Sequence, residues 1–277
     1  MITETEAFDI VIEPERSNAD FLRELVKFRE LFFFLAWRDI LVRYKQTAIG
    51  VAWGIIRPLV SMAVFVIVFG KIAKLPSGGV PYPVMVFTAL LPWQFFANSM
   101  QAGADSLIRS EHMISRIYFP RLILPTSAVI VSLVDFAVSF AVLCAIMALY
   151  SFVPSAKIIM LPFFFVPAAM SSLGAAYFFS AAGVRYRDFR HVMPFIVQFG
   201  LYISPVGFSS SIIPERWRMI YSVNPMAGVI DGFRWCIHGT DRLYVPGLMV
   251  SMISAVIIFM AGLKYFRKTE RFFADYI

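Results

Sequence analysis

Charge is scarce in this sequence: Asp, Glu, Lys and Arg make up 16% of its 277 residues, against a hydrophobic share of 59%. So few charges cannot cover a water-facing surface, which excludes an ordinary soluble domain and leaves a polytopic membrane protein. Residues that carry chemistry are as thin. The three histidines, His112, His191 and His238, fall in separate segments, and no HExxH, GxSxG or paired cysteine motif occurs, so neither a metal site nor a catalytic residue is expected. Cys144 and Cys236 have no motif spacing and read as free thiols packed as small hydrophobes. GxxxxGK[ST] is missing too, so any ATP-driven work needs a second protein. Without an internal repeat, a homodimer is the natural way to enclose a path across a membrane. No basic patch stands apart from a membrane flank, and nucleic acid is not an expected partner.

What is present is a series of apolar runs. Six of them, at 48–70, 84–104, 122–150, 158–184, 191–211 and 245–266, are long enough to cross a hydrocarbon core of roughly 30 Å at about 1.5 Å per helical residue. Ahead of them, 1–19 is an acidic tail with Glu4, Glu6, Asp9, Glu13 and Glu15, unlike a signal peptide and expected to stay cytoplasmic. Residues 20–47 interleave Arg23, Lys27, Arg29, Arg38 and Arg43 with Phe21, Leu25, Phe28, Phe32 and Leu35 at spacings of three and four. That pattern predicts an amphipathic helix in the headgroup region, with membrane lipid as its partner, or one packed on protein. After the second run, Asp105 reads as the N-cap of a short surface helix over 105–119. The stretch 212–244 is too polar to cross and too apolar for a solvated loop. It predicts two short interfacial helices, with Asn224–Pro225 as a start signal, Gly239 as a stop, and Trp217 and Trp235 as anchors. A basic tail, 267–277, closes the chain. Six crossings put both termini on one side, and most of the 25 lysines and arginines flank that side, which places it in the cytoplasm.

A few side chains inside the runs ask for a role. Asp135 is too short to snorkel out of the third run and reads as a buried hydrogen-bonding group. Arg57 either snorkels, pairs with Asp135 or faces a water-filled path. Phe195, Phe199 and Tyr202, four and three apart, form a stripe on the fifth run. Such a stripe is either packing surface or the lining of a path, with Trp53 and Arg57 of the first run bordering it.

Three stretches, RYKQTAIGVAWGIIRPL, SRIYFPRLILP and PERWRMIYSVNPMAGVIDGFRW, resemble the permease subunit of ABC-2 type exporters of bacterial surface polysaccharides, the O-antigen/lipopolysaccharide permeases in particular. The resemblance implies an all-α membrane protein of the ABC-2 (type V) exporter fold. Its parts are six transmembrane helices, an N-terminal interfacial gate helix, a cytoplasmic coupling helix and short external gate helices. It further implies a homodimer in the bacterial inner membrane, joined to two copies of an ABC ATPase subunit that hold ATP and Mg, with no cofactor and no enzymatic step on this chain. A lipid-linked polysaccharide, O-antigen, is the implied cargo. By the same likeness Arg109, Glu111 and Arg116 lie on the coupling helix, the first and fifth spans line the channel, and Trp217, Asn224, Pro225, Asp231 and Arg234 belong to the external gate. The alternatives are the same fold with another cargo, such as teichoic acid, capsule or a small hydrophobic compound, and a membrane enzyme acting on a lipid carrier. The enzyme would need paired carboxylates or histidines on one face, and the sequence shows no such set.

Overall fold

The computed structural model describes residues 27–45, 50–186, 188–239 and 243–273. The expected tail 1–19, the beginning of the amphipathic stretch (20–26), its end (46–47) and the last four residues lie outside the described residues. The described residues are helical, with no strand among them. In chain order they form α1 (Arg29–Lys45), α2 (Gly50–Phe65, continued by a wider turn over Val66–Ile72), α3 (Tyr82–Arg109), α4 (Glu111–Ile114) and α5 (Ile123–Leu149). There follow α6 (Leu161–Arg185), α7 (Phe189–Ile203), α8 (Glu215–Tyr221), α9 (Pro225–His238) and α10 (Val245–Glu270). Among the described residues, four stretches are long and apolar enough to cross a membrane: Ala52–Ile72, Ile123–Leu149, Ala156–Arg185 and Val245–Glu270.

The remaining two runs differ for physical reasons. Helix α3 has the length, 28 residues, but carries Gln94, Asn98, Gln101 and Asp105. It is the central helix. Every residue from Val84 to Trp93 is buried, and α3 packs against α5 on one side and α6 on the other. Helix α7 stops at Ile203, well short of the expected 211, because Ser204 precedes Pro205 and takes an extended backbone, φ −78° and ψ 151°. Its 15 residues rise only about 22 Å.

Small residues set how closely the bundle packs. Gly262 of α10 lies against the backbone of Gly174 in α6, where an added Cβ would collide with the Gly174 carbonyl, and Gly103 of α3 meets Ala176 of α6 in the same way. Two apolar clusters result. The larger joins α3, α5, α6 and α9 through Phe87, Leu91, Leu143, Phe164 and Phe233. A second, at the other end of α3, gathers Leu35 of α1, Leu107, Phe119, Tyr177, Phe266 and Phe273.

Two expectations need correcting here. The single surface helix over 105–119 is not formed: α3 runs through to Arg109, and Asp105 sits within it, paired with Arg109 one turn on at 2.9 Å. Only the single turn α4 follows, because Ser110 leaves helical geometry at φ −106° and ψ 17°. At the far end, the basic tail begins as helix, since α10 continues to Glu270 and Phe273 is buried.

Replacing Gly262 by valine is expected to cost about 1–3 kcal/mol of stability, because the neighbour is backbone and cannot rotate away. Thermal melting of the detergent-solubilised chain measures it, and an unchanged midpoint would contradict the close α6–α10 crossing.

Candidate functional site

Where α7 ends, the chain runs irregularly from Ser204 to Ser209 before the single turn Ser210–Ile212. Its residues 204–207 are buried, so their carbonyls need donors from elsewhere in the protein. Four side chains donate to this end of α7 and the turn after it, three of them to backbone carbonyls. Arg234, only 2% exposed, donates from one guanidinium nitrogen to the Phe208 carbonyl at 2.7 Å and from the other to the Val206 carbonyl at 3.0 Å. Tyr82 donates its hydroxyl to the Gly207 carbonyl at 2.6 Å, and Tyr221 donates to the Ile203 carbonyl at 2.7 Å. Asn224 completes the set with a bond from Nδ2 to Ser204 Oγ at 3.0 Å, while its Oδ1 caps α9 by accepting from the Met226 N–H at 3.0 Å. Pro225 takes the first helical position, where no N–H is needed. Asp231 accepts from Ser210 Oγ at 2.8 Å. Burial, then the nearby Asp231 carboxylate, pushes the Tyr221 phenol above its ordinary pKa against the opposing charge of Arg234, which keeps it a donor.

Pro225 and Arg234, buried, and Asn224 and Asp231, half-buried, therefore form a clamp on the end of α7, and Trp217 alone of the five expected gate residues is exposed. Tyr82 and Tyr221 escaped the sequence reading. A signal for them existed: PVGFSSS cannot form regular helix, so its carbonyls had to find buried donors.

Asp135 finds a partner other than the one considered. Arg43 of α1 forms a close ion pair with it at 2.8 Å, and the Tyr44 hydroxyl donates to its other oxygen at 2.6 Å. The considered partner, Arg57, is exposed on α2. The reason is one of reach, since α1 packs along α5 and brings two donors from its last turn to the same carboxylate. Burial and this hydrogen bond push the Tyr44 phenol upward in pKa, so it remains protonated.

The aromatic stripe is open. Phe195, Phe199 and Tyr202 are 61%, 65% and 56% exposed, and Trp53 and Arg57 are exposed on α2. The two helices meet through Phe65, whose ring stacks on Tyr202 at 6.2 Å. Arg57 and Trp53 lie about 12 and 18 Å from Phe65 along α2. On an adjacent side of α7, Ile196, Gly200 and Ser204 line a cavity of about 460 Å³ shared with Trp93, Phe178 and Gly262. Trp93 packs so closely on Gly200 that a Cβ there would lie 2.6 Å from the indole. At the far end of α3, Arg109, Glu111 and Arg116 are exposed together on and around α4.

Arg234→Met removes the donor to the buried Val206 carbonyl, an expected loss of about 1–3 kcal/mol, and the donor to the half-buried Phe208 carbonyl. Limited proteolysis should then cut within 204–211 sooner than in the parent, and equal cutting would refute the clamp. For the α1–α5 junction, a double-mutant cycle of Arg43→Ala and Asp135→Ala should return a coupling of about 1 kcal/mol in the melting of the solubilised chain. Strict additivity would mean that the pair contributes nothing.

The model of the ABC-2 type transporter family matches residues 30–238, from α1 to the end of α9. The chain is 24% identical over 260 residues to an O-antigen export system permease protein of Myxococcus xanthus, covering 92% of this chain and 98% of that one. A permease of the same description from Klebsiella pneumoniae is 26% identical over 248 residues, 89% of this chain and 94% of its own. A polysialic acid transport protein of Escherichia coli is 20% identical over 235 residues, 84% and 91% of the two chains. With the family matched over most of its length and four stretches among the described residues able to cross a membrane, the chain belongs to the ABC-2 type transporter family.

Proposed function

We propose that the chain is the membrane half of an ATP-driven exporter that moves a lipid-linked polysaccharide, O-antigen, out through the bacterial inner membrane. The observation that carries this reading is the likeness to an O-antigen export permease over nine-tenths of both chains. A permease without a P-loop must take its ATP hydrolysis from a separate subunit. Two copies of this chain with two ATPase subunits are the assembly we infer.

In this reading six helices cross: α2, α3, α5, α6, α7 and α10, with both termini in the cytoplasm. Helix α3 tolerates its amides because its neighbours bury it, and α7 completes its crossing through the clamped segment 204–212. The α3–α5 connection, with Arg109, Glu111 and Arg116 outward, receives the ATPase. Helix α1, with Phe33, Phe34 and Trp37 exposed, lies on the lipid headgroups. The exposed faces of α2 and α7 from the two copies enclose the path, with Phe199 and Tyr202 lining it and Trp53, Arg57 and Phe195 bordering it. A long neutral polymer moves best over many weak contacts, since one tight site would hold it. Flat aromatic faces that accept successive sugars meet that need. The clamp of Asn224, Pro225, Asp231 and Arg234 holds the outer constriction in shape from behind, while Trp217 meets its surroundings.

Deleting the gene in the host and asking whether long glycan accumulates inside the cell tests the reading, and normal surface glycan would overturn it. Replacing Phe199 and Tyr202 together by alanine should cut export severalfold while leaving the melting temperature of the solubilised chain within a degree or two, because both side chains are more than half exposed. A destabilised protein with normal export per folded molecule would return the stripe to ordinary packing.

A further inference from the structure

We infer that the end of the last long helix and the turn after it, through Glu270 and Phe273, form a brace that positions the α3–α5 connection for its ATPase, an inference that rests on the docking role given above to that connection. A basic terminus would ordinarily be solvated, yet Phe273 has no exposed surface at all. Its ring meets Phe266 edge to face at 5.4 Å and lies in one apolar cluster with Ile114 and Phe119 of the connection and Leu35 of α1. A reciprocal pair of bonds fixes the register. The Arg121 guanidinium donates to the Glu270 backbone carbonyl at 2.7 Å, and the Arg121 backbone N–H donates to the Glu270 carboxylate at 3.2 Å. The same guanidinium stands 5.8 Å from the Phe273 ring centroid.

These contacts give the connection a back and a front. Its irregular backbone has little helix of its own, since α4 is a single turn of four residues. An isolated turn of that length does not hold its shape in water. Ile114 and Phe119 point into the cluster and are buried, while Glu111, His112 and Arg116 stay exposed. Phe273 therefore supports the connection from behind without touching the face that would meet a partner. Leu35 in the same cluster means that a push on the connection also bears on α1, which is tied through Arg43 and Tyr44 to Asp135. Phe273 and Glu270 are thus positioning residues for coupling.

The test uses the full-length chain, affinity-purified from its host in detergent, with the co-purifying ATPase quantified through its P-loop peptide by mass spectrometry. Amide hydrogen exchange is followed over 109–121 and, as a reference, over the α6–α10 crossing. Phe273→Ala should speed exchange over 109–121, leave the crossing unchanged and lower the captured ATPase per folded chain about tenfold, or about 1.4 kcal/mol of binding. Phe273→Leu should restore both. Should Phe273→Ala fail to accumulate, Glu270→Ala carries the same expectation, because it removes one bond to Arg121 and leaves the apolar cluster in place. Parental exchange and parental capture in these variants would overturn the brace, as would faster exchange spread equally over the crossing. Reversing the charges of Arg109, Glu111 and Arg116 separates the two claims. If capture is lost there but not in Phe273→Ala, docking stands and the brace falls; if capture survives the charge reversal, the docking reading itself is wrong.

Discussion

Backbone that leaves helical geometry inside a packed bundle exposes carbonyls that water cannot reach, and each must find a donor among side chains or cost the protein its desolvation. Ser204 to Ser209 is such a stretch, and much of one end of the molecule is arranged to serve it. Arg234 can lie buried there because a guanidinium offers several donors in a rigid plane, and two of them reach carbonyls two residues apart. Tyr82 and Tyr221 add their hydroxyls from α3 and α8. Helix α9 must lie deep to carry Arg234, which explains why a helix with Asp231 and Arg234 on it is almost wholly buried. The direction of α7, and with it the presentation of Phe195, Phe199 and Tyr202, follows from how its end is held.

The other end obeys a different physics. There the contacts are aromatic and aliphatic, from five separate parts of the chain, and polar bonds only set the register, as Arg121 does with Glu270. Between the two ends, α3, α6 and α10 approach closely through glycine and alanine. Helices α2 and α7 stay outside that packing. Aromatics and aliphatics along both, from Trp53 to Val68 and from Val192 to Ile203, are left exposed.

Local signals were legible where a single residue type meets a single backbone need. Asn224 caps α9, Pro225 follows it, and Gly239 closes the helix at φ +72°, a conformation that costs a Cβ-bearing residue about 1–2 kcal/mol. The long apolar runs other than the fifth appear as helices near their expected bounds. Misreadings arose where two segments compete for the same residues. Asp105 looked like a cap because its neighbours are polar, but α3 is held so firmly by its partners that the helix runs past it to Arg109. The end of α7 was placed eight residues too far, since composition alone does not register that Ser204, standing before Pro205, turns extended.

By itself the sequence determined that this is a helical membrane chain with polar flanks, where most helices run, and which residues carry unusual chemistry for their surroundings. Periodicity, apolar length and caps depend on neighbours a few positions away, so they can be read along the chain. Only the tertiary structure decided which groups meet. Asp135 bonds to Arg43 and Tyr44, some ninety residues back, rather than to Arg57; Arg234 reaches Val206 and Phe208; and Phe273 closes a cluster begun at Leu35. Partners of that kind are chosen by how helices cross, and the crossings rest on where glycine and alanine let backbones touch. That is a property of pairs of helices, and no single stretch of sequence contains it.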